Sequence, residues 1–313
     1  MPVYIVRRMI ATVPVMAIVA TIVFALLRLT PGDPASVIAG DHASAEQLAG
    51  IRQRLGLDDP LPIQLALWFT QLLKGDLGHS IISDVPVAAL IADRLGPSLA
   101  LGAATILFSI VVAVPLGVVA AWRRGTMVDR VVMAFSVLGF SVPVFVKGYV
   151  FILLFAITLA WVPVQGYAPP AAGLWPFLER LILPTTVLSL GYIALIARIA
   201  RTSVLEVLNE DFIRTARAKG ITERAVLARH ALRNAAVPIV TIIGVGVGML
   251  LSGVVVTESV FNLPGLGRLV VEAVLARDYP VVQGLILLFA FIYIVINLIV
   301  DILYTIIDPR IRY

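Results

Sequence analysis

Five stretches of this chain run without a single charged side chain: Met9–Leu27, Pro97–Ala121, Leu181–Ala197, Ala235–Thr257 and Tyr279–Val300. Crossing a bilayer takes roughly 20 apolar residues, because the hydrocarbon core is about 30 Å thick and a helix rises about 1.5 Å per residue. With 60% hydrophobic and 14% charged residues in a chain of 313, a water-soluble core could not hide this much apolar surface. The chain therefore reads as an all-α polytopic membrane protein. A sixth apolar region, Val131–Val162, contains Lys147 as its one charge. As a single helix it would be about 48 Å long, too long for one span, so Pro143 is expected to split it into an interfacial piece and a span. The total is six spans.

The basic residues set the orientation, since Lys and Arg accumulate on the cytoplasmic side. Fifteen of them fall before the first span, between the second and third, between the fourth and fifth, and after the sixth, against eight on the other face. Both termini are thus expected in the cytoplasm, as an even span count requires. The start, Met-Pro-Val-Tyr-Ile-Val-Arg-Arg, looks like the head of a signal peptide, but the apolar run behind it exceeds a signal's apolar region and reads as an uncleaved span. Residues 1–29 form this N-terminal segment and first span. Residues 30–96 are an extracytoplasmic helical segment, with a capping box at Ser44–Gln47 opening a helix through Leu55 and a second helix after Asp59 and Pro60. Residues 97–305 carry five further spans, and 306–313 a cytoplasmic tail.

Much chemistry is excluded. There is no cysteine, so no thiolate nucleophile or Cys-ligated zinc, and the three histidines lie far apart in sequence. Neither a G-x-x-x-x-G-K-[ST] phosphate loop nor a G-x-S-x-G elbow occurs. The chain is read as no enzyme, with neither metal nor cofactor of its own and no nucleic-acid partner. Lys147 admits two readings: a side chain snorkelling to the cytoplasmic interface, or a residue of a substrate path. Glu258 and Asp301, at span ends, read as interfacial. Gly244 and Gly248 form a small-xxx-small pair suited to close helix packing.

The densest charge lies where topology needs it least. The stretch DFIRTARAKGITERAVLARHALRN, Asp211–Asn234, holds six Lys or Arg within a cytoplasmic loop of 198–234. Asp211 can cap a helix Phe212–Lys219 supported by a Glu210–Arg214 pair; Gly220 can end it and Thr222 cap a second helix. The apolar residues Phe212, Ile213, Ala216 and Ala218 are too few for a core, so the knuckle is expected to seat in a partner's groove, with lipid contact as the plainer alternative.

This loop resembles that of permease subunits of binding-protein-dependent ABC importers, in the dipeptide, oligopeptide and nickel branch. There the loop reads E-A-A, three residues, Gly, nine residues, I-x-L-P. Here Arg214-Thr215-Ala216 and Gly220 hold the first positions, and His230-Ala231-Leu232-Arg233 the last. Arg214 replaces the acid and Arg233 the proline. LLRLTPGDPA, LGLDDPLPIQ, KGDLGHS, VFNLPGLGRLVVEAVLARDYPVVQG and NLIVDILYTIIDPRIRY extend the resemblance over nearly the whole chain. The resemblance implies a type-1 ABC importer permease fold in a prokaryotic inner membrane. It implies a second permease subunit, expected to be a relative rather than a copy, two cytoplasmic ATP-binding subunits that hydrolyse the ATP, an external solute-binding protein, and surrounding lipid. Asp211, Phe212, Arg214, Thr215, Ala216, Arg217, Lys219 and Gly220 would form the ATPase-coupling loop, and Phe261–Pro280 would tuck into the outer mouth. Peptides are the expected cargo, with nickel or glutathione as alternatives; an ion-coupled secondary transporter or a membrane scaffold is the rival from another class.

Overall fold

The structure, a computed structural model, describes residues 2–29, 35, 44–46, 49, 52 and 57–307. Most of the helix expected from Ser44 through Leu55, and the tail from Asp308, lie outside the described residues. The chain divides into two compact units, Met1–Gly96 with Arg268–Ile294, and Pro97–Gly267 with Val295–Tyr313.

In the first unit, α1 (Pro2–Leu29) and α2 (Leu61–Leu73) meet through Phe24 and Trp68, whose rings lie 5.7 Å apart. α2 starts after Pro60, a residue without an N–H to leave unsatisfied, and buried Gln64 donates to Leu57 O and Asp59 O, at 3.1 and 2.7 Å, to fix the entering loop. The buried Asp278 carboxylate accepts from Ser80 Oγ at 2.5 Å and from the Ile81 N–H at 3.1 Å, joining two segments nearly 200 residues apart.

The second unit is built from helices joined by loops, with residues 159–169 as a non-helical connection. It contains the apolar part of α3 (Val87–Trp122), then α4 (Met127–Ser141), α5 (Val144–Phe151), α6 (Leu174–Leu208), α7 (Asp211–Ala218), α8 (Ala236–Val260) and the start of α9 (Leu266–Leu275); α10 (Tyr279–Ile307) ends in it. Among the described residues, α3, α6, α8 and α10 are long and apolar enough to cross a membrane. The pair α4 and α5, bent by 104°, makes a fifth span or a re-entrant loop. In α1 the described apolar stretch, Ile10–Ala25, is shorter than those four. The expected break at Pro143 is present as this bend.

α6 is the central helix: 61% of its apolar window is buried, against 28% in α3 and 33% in α8. Small residues let its neighbours approach. A Cβ on Gly117 of α3 would lie 2.6 Å from Ala200 Cβ and 2.7 Å from Ala197 O, and one on Gly253 of α8 2.7 Å from Leu188 Cδ1. The core they close contains Leu101, Val187, Tyr192, Ile196, Leu250 and Phe261. In a membrane, where water cannot drive burial between spans, this close backbone approach replaces it as the source of packing energy.

Candidate functional site

The basic loop grows directly out of α6, which runs to Leu208, well past its apolar stretch. α7 follows after Asn209 and Glu210. It begins at Asp211, one residue earlier than the sequence pattern predicts, and Glu210 holds the N-cap position without a side-chain cap bond. Asp211 is committed elsewhere: its carboxylate takes Arg214 at 3.1 Å in place of the expected Glu210–Arg214 pair, and its carbonyl accepts from Thr215 Oγ.

Gly220 ends the helix with φ +76°. Its N–H donates to Arg217 O at 2.9 Å, and the Ile221 N–H reaches back to Ala216 O at 3.3 Å. Those two bonds are a Schellman motif, completed by Ile221 packing beside Ala216. No atom lies within 4 Å of where a Gly220 Cβ would be. The glycine is needed for its backbone angle, not for space. Across it, Arg217 clasps Glu223 with Nε–Oε1 at 2.6 Å and a second contact at 3.3 Å, fixing the angle between α7 and the run Glu223–Ala225, Val226–Ala231 and Leu232–Asn234.

The apolar residues of the knuckle divide into two groups. Ile213 and Ala216 are buried against Val226, with Val207, Leu208 and Ile221 around them, so the knuckle does have a small core of its own. This corrects the expectation that all its apolar residues await a partner. Phe212 remains 44% exposed. Beside it Asp211, Arg214, Thr215, Arg217 and Lys219 also face outward. The result is a rigid, basic protrusion with one aromatic side chain to offer.

The knuckle's stem is anchored by a contact the sequence reading did not find. Arg201 on α6 forks onto Asp129 at the start of α4, with Nε–Oδ1 at 2.5 Å and NH2–Oδ2 at 2.8 Å, while the Gly125 N–H donates to the same carboxylate at 2.9 Å. Nothing in local spacing marks residues 72 positions apart as partners.

The Lys147 side chain turns back onto α4. It is 8% exposed, and its Nζ donates to Gly139 O at 2.9 Å. The reason is local: Gly139 O would ordinarily accept the N–H of residue 143, but that residue is proline. The ammonium satisfies the carbonyl that the bend leaves open, at the negative end of α4. Gly244 lies against Val300, where a Cβ would come within 2.6 Å of the valine, whereas Gly248 is half-buried. Gly246, two residues on, accommodates the Tyr192 ring instead.

Glu258 is fully buried, not interfacial. Ser98 Oγ donates to its carboxylate at 2.5 Å and in turn accepts the Leu266 N–H at 2.7 Å. Gly265 and Gly267 leave room for that carboxylate, since a Cβ on either would press on it. The sequence signal was the Pro-Gly-Leu-Gly turn six residues downstream of an acid. Among the described residues no group of His, Asp and Glu could hold a metal ion.

A family model described as the inner membrane component of binding-protein-dependent transport systems matches residues 113–313, and a companion N-terminal model matches residues 1–102. The chain is 52% identical, over 100% of both sequences, to a "Probable peptide ABC transporter permease protein" of Sinorhizobium fredii. It is 43% identical, over 99% of both sequences, to a "Glutathione transport system permease protein" of Salmonella choleraesuis. In fold it is similar to a chain of an inward-facing MetNI methionine ABC transporter, with a TM-score of 0.59, 18% identity, and 71% of this chain and 97% of that one covered.

Proposed function

Since the chain belongs to the inner membrane components of binding-protein-dependent transport systems, a family of multi-pass ABC permeases that work with ATP-binding subunits, we propose that it imports peptides and that α7 is its coupling element. The observation carrying this is the knuckle itself: a Schellman-locked helix with its inner apolar face already satisfied and Phe212 left outward. A helix end held this rigidly transmits displacement as a body. Closure of an ATPase dimer around Phe212 and its basic neighbours would move α6 through the stem that Asp129 and Arg201 clamp. The chain brings neither nucleotide nor cofactor to this cycle; ATP is bound and hydrolysed by two partner subunits on the cytoplasmic face, where the basic loop and both termini lie. A second, related permease completes the path, and an external solute-binding protein delivers the cargo. Peptide cargo is supported by the 52% identical relative; glutathione, itself a small peptide, is the second reading, supported by the Salmonella relative.

Co-expression with the partner permease and ATPases tests the coupling role. Gly220→Val should leave membrane insertion intact, yet lower peptide uptake at least about tenfold, because a β-branched residue at positive φ cannot keep the knuckle's angle. Normal uptake by a well-inserted Gly220→Val protein overturns the assignment of α7.

A further inference from the structure

Among the described residues, two sets of hydroxyl groups in the spans contrast. Thr186, Thr241, Ser136, Ser141, Thr257 and Ser259 each donate to the carbonyl four residues back in their own helix. The hydroxyls of Thr105, Ser109, Thr185 and Tyr192 have no hydrogen-bond partner, though all four residues are at least nine-tenths buried. Inside a membrane no water repairs that loss, so such groups point to a ligand or a second state.

They converge on one seam. On α3, Leu101, Thr105, Ser109, Ala113 and Gly117 repeat every four residues and all are buried, so they form one stripe. On α6, Thr185, Ser189 and Tyr192 form another. Glycine contacts show which helices meet. Gly246 and Gly253 of α8 lie against Tyr192 and Leu188, and Gly102 of α3 lies against Leu250 of α8. Gly117, on the α3 stripe, lies against Ala197 and Ala200 of α6. Leu101 and Ala113 of the α3 stripe share one core cluster with Tyr192 of α6 and Leu250 of α8.

We propose that Thr105, Ser109, Thr185 and Tyr192 are a cargo-contact site for the peptide backbone, engaged when the seam between α3, α6 and α8 opens. The inference rests on the peptide reading given above. Its chemistry is specific. Neither stripe carries a charged residue, so the site offers neutral donors and acceptors that match amide N–H and C=O groups and are indifferent to side-chain charge. Uncharged contacts of this strength also release what they hold, as a transit site must.

The test uses the complete transporter in proteoliposomes, with a solute-binding protein loaded with radiolabelled trialanine. Thr105→Val and Tyr192→Phe should each lower uptake at saturating binding protein about fivefold, the size of one lost hydrogen bond. Thr105→Ser should restore it, and Thr241→Val, whose hydroxyl bonds only within its own helix, should match the wild type. Melting midpoints should not fall, because each change removes an unsatisfied group. Wild-type uptake by Thr105→Val and Tyr192→Phe, or loss of uptake only in step with a lowered melting midpoint, overturns the site. Failure of the wild-type complex to take up trialanine, with uptake of another solute intact, overturns the cargo reading, which separates the two.

Discussion

The basic knuckle and the interior of the second unit use the same residue types to opposite ends. On the knuckle, Arg214 is paired with Asp211 while their side chains are 75% and 93% exposed. At its stem, Asp129 is 7% exposed and fully satisfied by a forked guanidinium and a backbone N–H. An exposed pair is screened by water and contributes little to stability, whereas breaking a buried pair strands an uncompensated charge. The difference separates what the charges are for. Those at Asp129 and Glu258 hold the fold, and those around Phe212 stand at the surface in exposed pairs.

The sharpest way to break this contrast is Arg201→Ala. Removing the guanidinium leaves the Asp129 carboxylate buried with a single N–H, and the expected loss is about 3–5 kcal/mol. Thermal unfolding in detergent, followed by fluorescence-detected size exclusion, should show a large drop in midpoint and yield. The exchanged pair, Asp129→Arg with Arg201→Asp, should recover part of it. A midpoint equal to the wild type would mean that the stem is not clamped there.

Next in size is Gly267→Ala. A Cβ at that position would lie 2.5 Å from Val255 Cα and 3.0 Å from Glu258 Oε2, and the backbone contact cannot be relieved by a rotamer change. Overpacking of this kind costs about 1–3 kcal/mol. The same melting experiment checks it, and a neutral result would show that the turn following Glu258 can shift without disturbing the carboxylate.

How much of this was readable in advance divides along the same line. Features set by neighbouring residues were legible: the apolar runs, the break at Pro143, and the glycine joint of the knuckle, because proline and glycine act on their own backbone. Features set by pairing across the chain were not. Asp129 and Arg201 carry no mutual signal in sequence, and Glu258 looked interfacial because its partner Ser98 sits 160 positions earlier. Lys147 lay between these cases. Its distance from Pro143 was visible, but the turn of the ammonium back onto Gly139 depended on the bend, which a one-dimensional reading gives as a break without a direction. Ile213 and Ala216 looked available to a partner because Val226, which covers them, follows only after the chain has reversed at Gly220.

The smallest expected stability effect is the most informative about function. Arg217 and Glu223 are each about two-fifths exposed, so Arg217→Ala should cost about 0.2–1 kcal/mol and barely move the melting midpoint. The clasp nevertheless fixes the angle across Gly220, and the coupling role proposed for α7 depends on that angle as much as on its surface. Uptake should therefore fall more than stability does, while Glu223→Gln, which keeps one hydrogen bond to the guanidinium, should fall in between. Should Arg217→Ala lose uptake only in proportion to its folded yield, the knuckle's charges would be structural after all, and the contrast between its surface and the buried stem would lose its functional meaning.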